Sequence, residues 1–292
     1  MKLSVVIITY NRYKDLKECL DSIFKMHQKP YEVIVVDSNS RDGTDTVKNK
    51  YPIEFISIPQ KNMQKARNVG IFRAKGEIVA FLDDDVVVDK NWSKYILEPY
   101  KDRKVGGVGG RVINYGASPE SYVKLKDAGV GRVFKNGLVL GNFDTLLAQS
   151  IEVDCFIGCN MSFRRELLLK IGGCDEKLKG NCFRDDTDLC LRIKNLGYKL
   201  IFQPKALVWH KFRGKQITNE WIYWYVRNNT YFYLKNIFPK SRLRFPFFLY
   251  RMFFPPKDYV QKSGVKIKKS PKIFPTALVG LYHGIKAYKS KT

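Results

Sequence analysis

The sequence is poor in the residues that build soft metal sites. It contains six cysteines but no Cys-x-x-Cys pair, and only His27, His210 and His283 are available to join them. A structural zinc module needs four such ligands at short, regular spacing. The sequence therefore argues against a zinc-finger architecture, and the cysteines are predicted to be free thiols.

A secretory leader and a long apolar run are also missing. The first apolar stretch, residues 5–8, is interrupted at once by Asn11 and Arg12 and is far shorter than the apolar part of a signal peptide. Two later apolar stretches, 245–254 and 273–285, fall short of the roughly 18 residues that span a bilayer. We predict a cytoplasmic protein with reduced thiols.

Two common nucleotide-binding motifs are absent as well. No Gly-x-Gly-x-x-Gly follows the first apolar run, and no Gly-x-x-x-x-Gly-Lys-Ser/Thr occurs in the chain. These absences argue against a dinucleotide-binding Rossmann enzyme and against a P-loop nucleotide hydrolase. Nucleotidyl transfer stays open as an alternative, although no Gly-rich loop bearing Lys or Arg follows the first predicted strand.

Acidic residues are scarce. The 292 residues include 28 Asp and Glu against 52 Lys and Arg, which gives a net charge of +24. From residue 211 onward the chain carries 18 basic residues, 2 acidic residues and 19 aromatic residues. We therefore predict a folded domain over residues 1–211 and a basic, aromatic helical extension over 212–292. Nucleic acid, a phosphorylated metabolite and anionic lipid are the acidic partners that such a charge favours.

Apolar β-branched runs alternate with segments of helical period in the first hundred residues. Strands are predicted over 3–9, 33–37, 53–58 and 78–82, and helices over 13–27, from 42–44 onward and over 62–74. This order predicts an α/β fold with a Rossmann-like, mostly parallel sheet and helices on both faces.

Polar side chains follow the predicted strands, at the edge of a parallel sheet where ligands bind. Three carboxylates, Asp83, Asp84 and Asp85, come directly after the strand over 78–82. They repel one another unless a cation or a basic residue lies among them, and a hard divalent ion with oxygen ligands would satisfy them. The alternative is a solvated acidic turn, or acids stabilised by a helix N-terminus.

A second acidic group begins another predicted helix. Asp185 and Asp186 would lie at its mouth, where one of them could act as a general base, and Asp188 would cap the helix or pair with Arg192. A plain helix-capping cluster is the alternative. His210 ends an apolar strand, where it could complete a metal site or be an ordinary surface or core histidine.

Six blocks of the sequence resemble those of the family 2 glycosyltransferases, a large inverting group with the GT-A fold. Each block is weak by itself, and their order and spacing carry the resemblance, which covers about residues 4–210. The blocks are SVVIITYNR (4–12), VVDSNSRDGT (35–44), ARNVGI (66–71), FLDDD (81–85), GCNMSFRR (158–165) and FRDDTDLCLR (183–192).

The resemblance implies a role for each matching residue. Asp186 would be the catalytic base, and Asp85 would hold Mg²⁺ or Mn²⁺ at the donor diphosphate together with Asp83 and His210. Asp37 would contact the base of the nucleotide, and Arg67 would lie close to the donor. The residues implied to bind the nucleotide sugar are Thr9, Tyr10, Asn11, Arg12, Asp37, Arg67, Asp83 and Asp84. Asp185 and Arg184 depart from the usual Glu and small residue of the family.

The resemblance also implies an activity. Residues 1–211 would form a GT-A catalytic domain, with a nucleotide-binding half over 1–100 and an acceptor half over 101–211. The enzyme would move a sugar, with inversion, from a nucleotide-diphosphate donor to a hydroxyl of a glycan or lipid-linked acceptor in the synthesis of cell-surface polysaccharides or glycoconjugates. The Gln-x-x-Arg-Trp block of processive synthases is absent, so we expect the addition of one or a few sugars.

The extension over 212–292 suits a membrane surface. Lys and Arg beside aromatic residues are typical of an interfacial helix held by anionic headgroups, which would place the protein on the inner face of the cell membrane. The alternative is a solvated basic surface with its aromatic residues packed on the catalytic domain. Basic residues among aromatics also occur in nucleic-acid binders, but the two acidic groups would repel phosphates, so we predict no nucleic-acid partner.

Overall fold

The computed structural model describes residues 1–59, 61–118, 129–212, 218–253 and 273–290. The strands are β1 (Leu3–Thr9), β2 (Glu32–Asp37), β3 (Glu54–Ser57), β4 (Ile78–Asp83), β5 (Val86–Val88), β6 (Val105–Asn114), β7 (Arg132–Val133), β8 (Val139–Leu140), β9 (Ile151–Glu152), β10 (Asn160–Arg164) and β11 (Lys199–His210). The helices are α1 (Tyr13–Phe24), α2 (Met63–Arg73), α3 (Trp92–Leu97), α4 (Arg165–Lys170), α5 (Asp185–Lys194), α6 (Asn219–Asn236), α7 (Phe245–Phe253) and α8 (Ile273–Lys289).

Nine of the described strands form one mixed sheet in the order β3-β2-β1-β4-β10-β6-β11-β5, with β9 paired to β11. The first four of these strands are parallel to one another, and so are β6 and β11. β10 runs antiparallel to both of its neighbours. The predicted α/β fold with a mostly parallel sheet is confirmed.

Helices cover both faces of this sheet because both faces of its strands are apolar. Val5 and Ile7 of β1 belong to one buried cluster with Leu16 and Leu20 of α1. Val6 points to the opposite face, where a Cβ added at Gly70 of α2 would lie 2.3 Å from its Cγ1 atom. Side chains alternate across a strand, so one buried strand binds a helix on each side.

The predicted helix after residues 42–44 is a short 3-10 turn, Thr44–Asn49. Gly43 precedes it with φ of 82°, and the carboxylate of Asp42 accepts a hydrogen bond from the backbone N–H of Thr44 at 3.2 Å. Threonine, aspartate, valine and asparagine are weak helix formers, so this six-residue segment takes the tighter turn.

The glycine-rich segment 106–110 lies inside strand β6. A Cβ added at Gly109 would lie 2.3 Å from Cδ1 of Phe156, and one at Gly107 would lie 2.7 Å from Cδ1 of Phe163. Aromatic side chains fill the space over this strand, so its glycines serve packing.

The described residues divide into two compact units. The first comprises Met1–Arg132, Leu140–Asp175 and Leu189–Arg213, and it contains the nine-stranded sheet. The second comprises Val133–Val139, Glu176–Asp188 and Gly214–Thr292. The second unit therefore contains two earlier segments of the chain besides the C-terminal extension, and the division falls inside α5.

Helices α6 and α8 pack closely within the second unit. A Cβ added at Gly280 would lie 2.8 Å from the carbonyl oxygen of Tyr223, and one at Gly284 would lie 2.7 Å from that of Arg227. The two glycines, one turn apart on α8, thus let the backbones approach. Among the described helices, none combines the length and apolar content needed to cross a bilayer.

Candidate active site

The carboxyl ends of β1, β2 and β4 lie side by side, and most of the predicted site residues follow them. Thr9 is paired in register with Asp37 of β2, and Ile8 is paired with Asp83 of β4. The parallel arrangement thus brings together side chains that are about 75 residues apart in sequence.

The acidic triplet is partly neutralised by an arginine. The buried carboxylate of Asp84 accepts hydrogen bonds from Thr9 Oγ1 at 2.8 Å and from an Arg12 guanidinium nitrogen at 3.0 Å. The same nitrogen of Arg12 donates to Asp85 Oδ2 at 2.7 Å. A basic residue therefore lies among the carboxylates, and it binds Asp84 and one oxygen of Asp85.

These surroundings move the pKa values of the two carboxyls in opposite directions. Burial raises the pKa of Asp84 to about 7, against the opposing effects of Arg12 and Thr9. Burial also acts to raise the pKa of Asp85, but the combined effect of His210 and Arg12 is stronger, and that pKa lies below its usual value. Of the two carboxyls, Asp85 therefore has the lower pKa and loses its proton first as pH rises.

His210 reaches Asp85 through the pairing of two strands. The end of β11 runs antiparallel to β5, with His210 opposite Val86, the residue after Asp85. The backbone N–H of Lys211 then donates to the carbonyl oxygen of Asp85 at 3.0 Å. As a result, ligand atoms of Asp83, Asp85 and His210 lie within 4.8 Å of one another.

This group of three fits a divalent cation. Asp85 Oδ1 is buried and has no hydrogen-bond partner within the described residues, although His210 Nε2 lies 3.1 Å from it. Neighbouring ligands of an octahedral ion with bonds of about 2.1 Å lie about 3 Å apart, which matches this spacing. Two carboxylates and an imidazole suit manganese, while magnesium would use mainly the carboxylate oxygens.

Hydrogen bonds join the loops that follow β1 and β2. The backbone N–H of Asn11, a residue with φ of 51°, donates a hydrogen bond to Ser40 Oγ at 2.7 Å. The side-chain oxygen of Asn11 accepts a hydrogen bond from the backbone N–H of Arg41 at 2.7 Å. The buried carboxylate of Asp37 accepts from the backbone N–H of Ser40 at 3.0 Å and from its hydroxyl. Ser40, to which the sequence assigned no role, therefore connects Asn11 to Asp37.

Tyr10 and Arg67 border this edge of the sheet in different ways. The ring of Tyr10 is exposed, and Lys61 Nζ lies 4.5 Å from its centroid. Arg67 of α2 is buried, with a terminal nitrogen 3.8 Å from Asp83 Oδ1. A Cβ added at Gly158 would lie 2.9 Å from that terminal nitrogen of Arg67, so glycine leaves room for the guanidinium.

Sequence reasoning also missed Lys211. Its ammonium binds Asp15 Oδ1 at 3.1 Å and also Glu18, both on α1. Two acids spaced three residues apart on one helix face were the available signal. Because Lys211 follows His210, this pair of contacts holds the end of β11 beside α1.

Asp186 belongs to the second compact unit, in the first turn of α5. Its Oδ1 atom accepts hydrogen bonds from Thr187, from the backbone N–H at 2.6 Å and from the hydroxyl at 3.1 Å. In the same turn, the fully buried Asp188 binds Lys235 Nζ at 2.6 Å and the amide of Asn236 at 2.9 Å. The start of α5 is thereby attached to α6, and the role of Asp186 stays a prediction.

Comparisons with known proteins agree with this picture. Residues 4–172 match the model of Glycosyl transferase family 2. Relatives include the probable glycosyltransferase YdaM of Bacillus subtilis, 26% identical over 87% of this chain and 62% of that protein. Another is the glucosyl-dolichyl phosphate glucuronosyltransferase of Haloferax volcanii, 24% identical over 76% of this chain and 73% of that protein. The chain thus spans about three fifths of the length of YdaM.

Two solved structures are similar in fold. Staphylococcus aureus TarS 1–349 in complex with UDP-GlcNAc has a TM-score of 0.65 at 20% identity, over 99% of this chain and 82% of that chain. The mannosyltransferase PcManGT of Pyrobaculum calidifontis, in complex with GDP-Man and Mn²⁺, has a TM-score of 0.59 at 17% identity, over 100% of this chain and 88% of that chain. These likenesses confirm the GT-A fold.

Proposed function

Because the chain belongs to glycosyl transferase family 2, we propose that it transfers a sugar from a nucleotide-diphosphate donor to a hydroxyl group of an acceptor, with inversion at the anomeric carbon. The observation that carries this proposal is the group formed by Asp83, Asp85 and His210 at the edge of the parallel sheet. Ligands bind at this edge in open α/β sheets.

Asp83, Asp85 and His210 would hold Mg²⁺ or Mn²⁺. The bound ion would supply Lewis-acid stabilisation of the negative charge on the departing nucleoside diphosphate. Arg12 engages Asp84 and the other oxygen of Asp85, so it keeps the triplet compact and leaves Asp85 Oδ1 for the ion. The Mn²⁺ in the PcManGT structure supports this assignment.

Thr9, Tyr10, Asn11, Arg12, Asp37, Arg67, Asp83 and Asp84 would bind the nucleotide sugar. Ser40 supports this role, because its hydrogen bonds join the loops after β1 and β2 into one wall. Arg67, buried next to Asp83, offers a fixed positive charge for the donor. The UDP-GlcNAc in the TarS complex supports a nucleotide-sugar donor.

Asp186 would be the general base. Its carboxylate would take the proton of the acceptor hydroxyl as that oxygen attacks the anomeric carbon from the side opposite the diphosphate, so a single displacement inverts the configuration. The two hydrogen bonds from Thr187 support this role because they fix the orientation of the carboxylate before substrate binds.

The acceptor would be a glycan or a lipid-linked saccharide in cell-surface polysaccharide or glycoconjugate synthesis. The name of the Haloferax volcanii relative, which includes a dolichyl phosphate, supports a lipid-linked acceptor. The basic and aromatic extension over 212–292 supports the same assignment, since it suits the inner, anionic face of a membrane.

Product analysis tests the proposal. The purified protein would be incubated with a panel of nucleotide sugars and glycan or lipid-linked acceptors, with Mg²⁺, Mn²⁺ or EDTA. We expect release of nucleoside diphosphate that needs both acceptor and metal, and an inverted anomeric configuration by NMR. Release of pyrophosphate would indicate nucleotidyl transfer, and a retained configuration or full activity in EDTA would contradict the proposed mechanism.

A further inference from the structure

An open cavity lies wholly within the second compact unit, and Arg184 and Arg251 are among the residues that line it. Arg184 precedes α5, and Arg251 lies on α7. The remaining wall includes Tyr225 and Asn229 of α6 and the buried side chain of Phe248. Two guanidinium groups thus share one small space with apolar and amide groups.

Two contacts hold the side chain of Arg184 in place. Its Nε–H donates to Asn229 Oδ1 at 3.0 Å, and its guanidinium carbon lies 4.7 Å from the ring centroid of Phe183. The amide of Asn229 donates in turn to the carbonyl oxygen of Tyr225 at 3.0 Å. The backbone of Arg184 has φ of 76°, a conformation that side-chain-bearing residues rarely adopt.

The charge in the cavity is unbalanced. Within the described part of the chain, Arg184 and Arg251 form no ion pair with a carboxylate. Two guanidinium groups that share a cavity repel each other, and an anion that accepts hydrogen bonds from both removes that repulsion. The cavity therefore has the charge of an anion site.

The size of the cavity favours a compact anion. Its volume is ≈ 30 Å³, whereas one water molecule requires about 10–15 Å³ on the same measure. The cavity has room for about two water molecules on this measure and is open to solvent, so a phosphate group would lie at its mouth. A phosphate carries about 1.5 to 2 negative charges near pH 7 and so matches two arginines better than a carboxylate does.

We propose that Arg184 and Arg251 bind a phosphate group carried by the acceptor. The assignment to the acceptor rests on the proposed function, because Arg184 lies two residues before Asp186, the proposed base that takes the proton of the acceptor hydroxyl. Binding the phosphate here would position the acceptor next to that base. The phosphate would belong to a lipid-linked saccharide or to a phosphorylated glycan.

Isothermal titration tests the proposal on the full chain, in EDTA so that the metal-dependent donor site is not loaded. The probes are farnesyl phosphate and glycerol phosphate. Arg251→Gln removes one charge, and Arg184→Gly removes the other while giving the backbone a residue that accepts positive φ. We expect each variant to weaken binding by about tenfold or more, the scale of one lost charge-assisted hydrogen bond.

Arg103→Gln is the matched control, because Arg103 is an exposed arginine just before β6, in the first unit. It should bind both probes as the wild type does. Tighter binding of farnesyl phosphate would identify a lipid-borne phosphate, and equal binding of the two probes would identify a phosphorylated glycan. Unchanged affinity in Arg251→Gln and Arg184→Gly, or an equal loss in Arg103→Gln, would overturn the proposal.

Donor binding separates this inference from the proposed function. Affinity for the nucleotide sugar with Mn²⁺ should be the same in wild type and Arg251→Gln. A loss of donor affinity in Arg251→Gln would assign the cavity to the donor and overturn the acceptor assignment. Phosphate binding that depends on both arginines, in a protein that transfers no sugar from any donor, would instead contradict the proposed function and leave the phosphate site standing.

Discussion

The three consecutive aspartates after β4 have three different surroundings. Asp84 is buried and bound by Thr9 and Arg12, Asp85 lies between Arg12 and His210, and Asp83 has 34% of its side chain exposed. Side chains of successive residues point to different sides of the loop, so the three carboxylates meet different neighbours. Of the three, only Asp83 and Asp85 share a space with His210, so these adjacent residues divide into one carboxylate held by Thr9 and Arg12 and two candidate metal ligands.

Replacing Asp85 should abolish the metal response. In Asp85→Asn, donor affinity should no longer rise on addition of Mn²⁺, because the ionised oxygen next to His210 is lost. Donor titration with and without Mn²⁺ measures this response. Asp102→Asn is the control, since the exposed Asp102 caps a turn through the N–H of Lys104 and should leave the response intact. A persisting metal response in Asp85→Asn would count against the assignment.

Replacing Asp186 should separate donor binding from turnover. Asp186→Asn keeps an oxygen for the Thr187 N–H but loses the proton acceptor, so turnover should fall by about 100-fold or more with donor affinity unchanged. Steady-state kinetics and donor titration measure the two quantities. Asp185→Asn, in the same helical turn, is the control, and an equal fall in both variants would remove Asp186 from its special role.

Local sequence was sufficient to locate the acids and the histidine but not their partners. Asp83, Asp85 and His210 were all found from their places at strand ends, and the structure brings them together. The contact of Arg12 with Asp84 depends on a loop path that no short pattern encodes. The spacing of Asp15 and Glu18 on α1 indicated a basic partner, but which residue fills that place depends on the end of β11. Gly158 was visible in a block but had no role until its closeness to Arg67 was known.

At the scale of elements, β-branched runs buried on both faces were the predictable part. The strands predicted over 3–9, 33–37, 53–58 and 78–82 agree with β1 to β4 to within one residue at each end. Strand β6 was missed because four of its ten residues are glycine, which is unfavourable in strands when judged locally. Glycine is favourable there because aromatic side chains from segments distant in sequence fill the space over the strand.

A methyl group in the middle of β6 should destabilise the first unit. The Cβ of Gly109→Ala would lie 2.3 Å from Cδ1 of the buried Phe156, so we expect unfolding to become easier by about 1–3 kcal/mol, the scale of core overpacking. Gly141→Ala is the control, because its nearest neighbour, on Phe143, lies 3.4 Å away. Urea unfolding followed by circular dichroism compares the two variants, and equal stabilities would contradict the packing argument.

Breaking the buried ion pair between α5 and α6 should destabilise the protein more than breaking an exposed pair. Lys235→Met would leave the carboxylate of Asp188, which has no exposed surface, without its cation, and this should cost about 3–5 kcal/mol. Lys17→Met breaks an exposed, solvent-screened pair with Asp21 and should leave the unfolding temperature nearly unchanged. Thermal unfolding of both variants measures the difference, and a Lys235→Met protein as stable as Lys17→Met would refute it.

For the whole molecule, the uneven charge combines with an exposed apolar surface. In the second unit, Leu243 has 90% of its surface exposed and Phe247 has 57%, and the basic residues Arg242 and Arg244 lie beside them. Basic residues near exposed apolar side chains favour an anionic membrane face, at about 1 kcal/mol per basic residue near the surface. The alternative interpretation, a basic surface exposed only to water, predicts a different result with vesicles.

Vesicle flotation distinguishes the two. We expect recovery with vesicles that contain anionic lipid, weaker recovery with neutral vesicles, and a decline as salt concentration rises. The double variant Leu243→Ser and Phe247→Ser should lose flotation. Phe72→Ser is the control, because Phe72 is as exposed as Phe247 but lies on α2 in the first unit. Equal recovery on neutral and anionic vesicles would rule out the membrane proposal.

The second unit is formed by segments of the chain that are synthesised at different times. Residues 133–139 and 176–188 emerge early, yet their partners come later: Gly137 packs against Tyr233 and Phe248, and Gly180 against Trp224. A nascent chain released after residue 211 would therefore expose the segment that bears Asp186 without the helix that supports it. Emergence of α6, rather than closure of the sheet, is the event that would let this segment reach its folded packing.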